Sequence, residues 1–576
     1  MPGVVKRPCE GVRKMGRNRI GVKTLHIVNP REDDELSEES IEMHSSRVGP
    51  HIGAGVGADE VKSMLWRFRK LAALVVMSLL GVLFLHGFLA DYGDRPGPLF
   101  ASSQDPHVKP PLDPSRTIGI VLHPEDHINR EPRSVSLRWH ISAGYRHPDG
   151  VKKRVYLVND EFPGPTIEAR PGDELVIEVQ NGLSDEGVAI HWHGVPVSNE
   201  MDGAAGFTQC PIAPGESFTY RLMIPDNCTG TFWWHAHFQS QRGDGLFGGF
   251  VVHEPRHEDG RTESERHGYS QDVLVMVGDW FHRSADEVMS WYTSVRSFGN
   301  EPVPDSLLVN GWGRFDCTMA VPARPLQCSQ LEEHDIQPLL SSPLATSRLR
   351  LVNVGSIAGF SARVSGATMQ LITVDGGFAV TAPPADELGI LYPGERADVV
   401  VHWSDEDISV SRLHISLDRE NFKYSNPSLI ADQSFRVFGS ASNSIADQET
   451  SLNTDRNSGP MLDIATATAS VVSSPTALDD AQYTVVLYIK TQKLARYNNK
   501  PMGFINHTSW TPQDRPLLSL SRAEWDKNQL IPFIPSTSKD GSAPVWVDLV
   551  LNNRDDGSHP FHLHGTSFYE HHRRED

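Results

Sequence analysis

Short alternating runs of apolar and polar residues dominate the chain from residue 131 onward. Val135, Leu137, Trp139 and Ile141 share one side of a two-residue period, and Ser136, Arg138 and His140 share the other. Leu175, Ile177 and Val179 repeat the alternation. Successive strand side chains point to opposite faces, so each run predicts a strand with one apolar face. Gly and Pro separate the runs, and short strands between such turns predict antiparallel β-sandwiches. A Pro-Gly-acidic turn recurs ahead of strands at Pro171, Pro214 and Pro393. This faint internal repeat is expected of duplicated sandwich domains.

The pattern divides the chain. A first domain is expected over residues 131–256, closed by the charged bridge HEDGRTESERHG. A second over 270–438 starts with the strand Val273 to Val277 and includes Met369 to Asp375. Residues 439–480 are rich in Ser, Thr, Asn, Asp and Ala and predict a linker. A third domain over 481–576 opens with Tyr483 to Ile489, and its strand Val545 to Leu551 leads into HPFHLHG.

The N-terminal region has a different pattern. Residues 1–63 are polar without sustained periodicity and predict a disordered tail. Leu71 to Ala90 are apolar or small apart from one histidine, long enough for a membrane-spanning helix. Lys62, Arg67, Arg69 and Lys70 precede the run, and Asp91 and Asp94 follow it. The positive-inside rule then puts the tail in the cytosol and the rest outside or in a lumen. A cleaved signal peptide, giving a secreted protein, is the alternative, although Phe88, Leu89 and Ala90 make a poor cleavage site. Residues 91–130 predict a proline-rich stem.

Composition adds compartment and partners. The net charge of −20 argues against a nucleic-acid partner. Cys210, Cys228, Cys317 and Cys328 would lie in an oxidising compartment, and their spacing suggests Cys210 with Cys228 and Cys317 with Cys328. Asn227 and Asn506 head glycosylation sequons.

The candidate chemistry lies in the histidines. His191 and His193, His235 and His237, and His562 and His564 form three His-x-His pairs, with His559 just ahead of the last. On a strand each pair puts two imidazoles on one face. Imidazole suits copper, iron, nickel and zinc. Seven such histidines in three distant segments exceed what one four-coordinate ion takes, so several metal ions are expected. A lone pair would be weak evidence.

HWHG, WWHAH and HPFHLHG resemble the copper motifs of the multicopper oxidases, the family of laccases, ascorbate oxidases and ferroxidases. FPGPTIEARPGD from Phe162, MDGAAGFTQCPIAPGESFTY from Met201 and LYPGERADVVV from Leu391 resemble the same family, with wording closest to its fungal members. The resemblance implies an all-β fold of tandem cupredoxin-like Greek-key β-sandwich domains, the third incomplete, behind one N-terminal transmembrane helix. It implies copper as cofactor, with dioxygen and a small reducing substrate as partners. The first and third domains of the family share a trinuclear copper cluster, and a type 1 copper in the third collects electrons.

Carried over residue by residue, the resemblance gives His191 and His562 to the type 2 copper. It gives His193 and His235 to one type 3 copper, His237 and His564 to the other, and His559 to the type 1 copper. Asp202 matches an acid that helps deliver protons to oxygen, although Asp-Gly is also a common turn. Glu301 resembles an iron-binding acid of fungal ferroxidases, and Glu-Pro-x-Pro is equally a simple loop. The family's fourth motif, H-C-H-x-x-x-x-H, has no counterpart, no cysteine follows Cys328, and His571 and His572 are poor substitutes. The expected function is oxidation of a phenol-like substrate or ferrous iron coupled to reduction of dioxygen to water, impaired by that loss. The alternative is an inactive, membrane-tethered copper-binding protein.

Overall fold

The computed structural model describes residues 21–28, 117–340, 346–404, 411–438, 461–470, 481–532, 534, 545–555 and 557–565. The chain forms two units, residues 1–30 with 112–576 and residues 31–111, and the second lies outside the described residues. So does the apolar run 71–90. Among the described residues no helix is long and apolar enough to cross a membrane.

One supersecondary plan occurs three times. Ser134–Arg146 pairs in parallel with Glu174–Asn181, Gln271–Trp280 with Ser347–Asn353, and Tyr483–Lys493 with Trp546–Asn553. Each first strand also carries an antiparallel hairpin partner on its other edge: Lys153–Val158, Ser306–Val309 and Pro501–Ile505. The expected antiparallel sheets are therefore mixed. Alternation reports which face of a strand is buried but not the direction of its neighbour. With the hairpin partner on one edge, the next strand must cross over to the other.

Two asparagines punctuate each repeat. Asn159, Asn310 and Asn506 end the hairpin partners with positive φ, a conformation asparagine tolerates. Their side-chain oxygens accept from the backbone N–H of His140, Met276 and Tyr488 on the first strands, at 2.7–2.8 Å. Asn181, Asn353 and Asn553 end the second strands, and each accepts from the backbone N–H two residues on.

The first body buries Trp139, Ile141, Leu175, Ile177 and Val179 between two sheets, as their alternation predicts. Its second sheet holds Ile167–Ala169, Phe247–Val252, Gly230–Ala236 and Ile190–His193. Gly230–Ala236 is buried on both faces. Trp234 points into the first core, while Trp233 packs with Leu274, Met276 and Val352 of the second body. Adjacent strand residues facing opposite ways explain the Trp-Trp dipeptide.

A buried polar network crosses the same seam. Arg350 pairs bidentately with Asp272 and donates to Thr231 Oγ1 at 2.9 Å. Arg348 pairs with Asp398 at 2.5 Å and Glu263 at 2.7 Å. Glu263 belongs to the charged bridge, expected as a connector, which instead folds as the capped helix Glu263–His267.

Other expectations also need correction. Part of the predicted stem is folded: Ile120–Val121 joins Gln271–Trp280, because Ile118 and Leu122 are buried apolar residues. Part of the predicted linker pairs too, Met461–Leu462 with Glu387–Leu391 and Thr468–Ala469 with Phe378–Thr381. Within the predicted disordered tail, Gly21–Val28 is a strand paired in parallel with Trp546–Asn553. Cys228 is a free thiol in the first core, and burial pushes it up to about 12. Cys210 is disulfide-bonded, but not to Cys228, while Cys317 and Cys328 do pair.

The third body repeats the plan with less cover. Ser217–Met223 and Arg396–Trp403 run antiparallel beside the second strands of the first two bodies. In the third, that position is taken by Gly21–Val28, running parallel. No residue of Tyr483–Lys493 is fully buried, and Val486 and Tyr488 are exposed.

Candidate metal centre

The Ile190–His193 strand lies against Gly230–Ala236, with His191 directly opposite His235. Trp192 points into the core and donates its indole N–H to Met201 O at 3.0 Å, which leaves His191 and His193 on the other face. His237 follows the second strand, and its backbone N–H donates to Ala189 O at 2.8 Å. His562 and His564 arrive from the third body, beyond Trp546–Asn553.

These six imidazoles converge. His191 stacks on His564 with ring centroids 3.8 Å apart, and His193 stacks on His562 at 3.7 Å. His191 Nε2 lies 3.4 Å from His562 Nε2. His193 and His235 have centroids 5.6 Å apart, and His237 and His564 5.1 Å apart.

Hydrogen bonds fix which ring nitrogens face inward. A carbonyl oxygen can only accept, so His191 Nδ1 donates to Asp202 O at 2.8 Å, and His235 Nδ1 to Ala236 O at 3.0 Å. His564 Nδ1 donates to Asp202 Oδ2 at 2.8 Å. Each of these rings keeps its Nε2 lone pair for a ligand. His193 Nδ1 is buried with no hydrogen-bond partner.

Electrostatics favour the neutral form of His191, His193, His235, His237 and His562. Burial, then neighbouring cationic groups, holds His193 and His235 well below the ordinary histidine value. Burial and His191 lower His237 to about 4 and His562 to about 2. Burial alone would raise the Asp202 carboxyl, but hydrogen bonds from His191 and His564 outweigh it and hold the group well below the carboxylate range. Imidazoles with free lone pairs suit copper among other transition ions, so the residues fit the metal.

The supports come from glycines and from the second body. Gly203 has φ +80°, and a Cβ there would stand 1.7 Å from Ile190 O, so the turn carrying Asp202 closes only on glycine. Gly394 has φ +96°, and a Cβ would meet His193 Cε1 at 3.1 Å. Arg396 holds that loop by donating to Gly394 O at 2.8 Å. Period-two reasoning did not single out Gly394 or Arg396. The signals for them are the Pro-Gly-acidic turn at Pro393 and the family-like LYPGERADVVV that contains it.

The remaining candidates stand apart. His559 is half-exposed, and its Nε2 lies 3.0 Å from Asp555 Oδ2. Asp555 also accepts from Thr491 N. No free thiol lies beside His559 among the described residues: Cys228 is in the first core, and Cys210, Cys317 and Cys328 are disulfide-bonded. Glu301 has a buried Oε2 with no partner. It lines a cavity of about 1480 Å³ with His237, His559, Tyr292, Phe207 and Trp510.

Comparison with known proteins agrees with this geometry. Three multicopper oxidase family models match residues 140–257, 271–412 and 509–575. Laccase-2 of Cryptococcus neoformans var. grubii is 30% identical over 468 residues, covering 78% of this chain and 75% of the laccase. The iron transport multicopper oxidase FET3 of Gibberella zeae is 27% identical, over 77% of this chain and 66% of its own. An L-ascorbate oxidase of Cucumis sativus is 32% identical, but the match spans only 47% of this chain and 45% of that enzyme. Among solved structures, Fet3p superposes with a TM-score of 0.57 at 23% identity over 75% of both chains. The laccase of Botrytis aclada gives 0.52 at 27% identity, covering 68% of this chain and 67% of that one. The converging histidines and these matches together make the chain a member of the multicopper oxidase family, whose cofactor is copper.

Proposed function

We propose that the chain couples oxidation of a small reductant, phenol-like or ferrous iron, to reduction of dioxygen to water at copper held by His191, His193, His235, His237, His562 and His564. The observation that carries this is the meeting of His191 Nε2 and His562 Nε2 at 3.4 Å, from segments 371 residues apart. Bound copper would supply electron storage and oxygen binding. The chain's own groups position it. Asp202, held as a carboxylate, accepts from His191 and His564 and so aims both Nε2 atoms inward. In that state it is an acceptor, so orienting the rings is its first role. Trp233 and Trp234 behind His235 exclude water from the strand that carries it. Oxygen uptake by the copper-loaded chain, with His237→Ala as control, tests the reading. Uptake independent of His237 would sink it.

The reductant would dock in the cavity shared by Glu301 and His559, where the partnerless Glu301 oxygen suits a cation such as ferrous iron. We further propose a membrane-anchored protein with its copper-binding body on the exocytoplasmic side, on the hydropathy and basic flank of residues 71–90. Asn227 is exposed and would carry glycan. Asn506 spends its side-chain amide on Val486 O and Tyr488 N, which disfavours a glycan there. Anchoring with a cytosolic N-terminus and pairing of Gly21–Val28 with Trp546–Asn553 exclude each other, because the bilayer would separate them. Protease treatment of sealed vesicles decides. Digestion of the N-terminus alone supports the anchor, and joint protection of both ends overturns that orientation.

A further inference from the structure

A second cluster of metal-binding side chains lies outside the six-histidine centre. His253 follows the Phe247–Val252 strand, and its Nε2 lies 2.7 Å from Glu168 Oε2 on the neighbouring Ile167–Ala169 strand. His127, on the short Glu125–Ile128 helix, brings its ring within 5.1 Å of the His253 ring. Donor atoms of His127, Glu168 and His253 all lie within 4.8 Å of one another. His253 is 1% exposed and His127 8%. At the rim, His123 Nδ1 lies 3.3 Å from Glu168 Oε1, and the His123 backbone N–H donates to Glu168 Oε2 at 2.8 Å.

We propose that His127, Glu168 and His253, with His123 or water as a fourth ligand, form a second metal site that takes a divalent transition ion of zinc's chemistry. Two histidines and one carboxylate are a recurrent zinc donor set, and bonds of about 2.0–2.2 Å need donors roughly 3.3–3.6 Å apart. A modest opening of the 2.7 Å contact reaches that spacing. Arg130 lies 3.1 Å from His127 Nδ1, but its charge is met by the two oxygens of Asp173 at 2.6 and 2.5 Å. Binding through Nε2 needs the His127 tautomer with its proton on Nδ1, so Arg130 must release the Nδ1 contact and keep its pair with Asp173. Burial first, then His253, lowers His127 to about 4, so the ring is uncharged at neutral pH. The ion would add a staple between the segment before Ser134 and the first body, beside the Glu168 bonds, the Arg130–Asp173 pair and the Arg256–Asn129 bond.

The test is zinc stoichiometry of the metal-stripped full chain by equilibrium dialysis. Whatever zinc the six-histidine centre takes up, one further zinc per chain is expected that is lost, or weakened at least tenfold, in Glu168→Gln and His253→Gln, yet retained in His237→Ala. Cobalt substituted for that zinc should give the intense visible absorption of a tetrahedral ion, absent in Glu168→Gln. Near-UV circular dichroism checks that each variant is folded. Should His253→Gln fail that check, Glu168→Gln decides. Zinc binding that is unchanged in Glu168→Gln, or absent from the wild-type chain, overturns the proposal and leaves a plain His–Glu hydrogen bond in the core.

Discussion

Asp202 orients rings from two bodies at once, because its carboxylate and its carbonyl accept from His191 and His564. Asp202→Asn keeps the shape but turns one acceptor into a donor. Copper affinity should fall about 10–100-fold, as for other residues that orient metal ligands, in a competition titration with a chelator. An unchanged affinity would show that the rings hold themselves. Gly203→Ala should cost at least about 2 kcal/mol in urea unfolding, since positive φ alone is worth about 1–3 kcal/mol and the added methyl also strikes Ile190 O. Glu301→Gln separates substrates. The KM for ferrous iron should rise about tenfold, the equivalent of about 1.4 kcal/mol, while the KM for a neutral phenol stays put. Equal changes for both would remove Glu301 from iron binding.

At the scale of elements, the seam between the first two bodies should carry a pH signature. Burial opposes ionisation of Glu263, but Arg348 and Arg350 outweigh it and lower the group from 4.5 to about 2. A depressed carboxylate stabilises the fold fully above its unfolded value, and that contribution fades as pH falls from about 4.5 through about 2. Glu263→Gln should cost about 3–5 kcal/mol at pH 7, as for a broken buried pair, and converge on the wild type towards pH 2. A constant gap in urea midpoints would contradict this. Exposure also predicts that protease cuts Tyr483–Lys493 before Ser134–Arg146, because only the latter has fully buried residues.

Much of this was legible in the chain. The faces of Val135 to Ile141 and Leu175 to Val179 followed from period two, and the three His-x-His pairs that the spacing singles out converge. Strand direction was not legible, because alternation is the same for parallel and antiparallel neighbours. Asn159, Asn310 and Asn506 each follow a β-branched residue, whereas Asn181, Asn353 and Asn553 follow Gln, Val and Asn, and neither set carries a periodicity to reveal it. Glu263 looked like solvated charge because its arginine partners lie more than eighty residues away in the sequence. Cys228 looked like a disulfide partner of Cys210, and burial in the core decided otherwise.

For the whole molecule, the account joins a two-body scaffold to a third body that supplies His562 and His564. The described residues place no thiolate beside His559. The copper-loaded 576-residue chain should therefore lack intense blue absorption, which needs a Cys–copper bond. A blue protein would contradict the account of that site. The most direct test of the central claim is copper content per chain in His191→Ala, His562→Ala and the double variant. If the two rings hold one ion between the first and third bodies, each single change removes the same copper and the double change removes no more. Losses that add in the double variant would mean that the two histidines serve separate ions, and the shared centre would not stand.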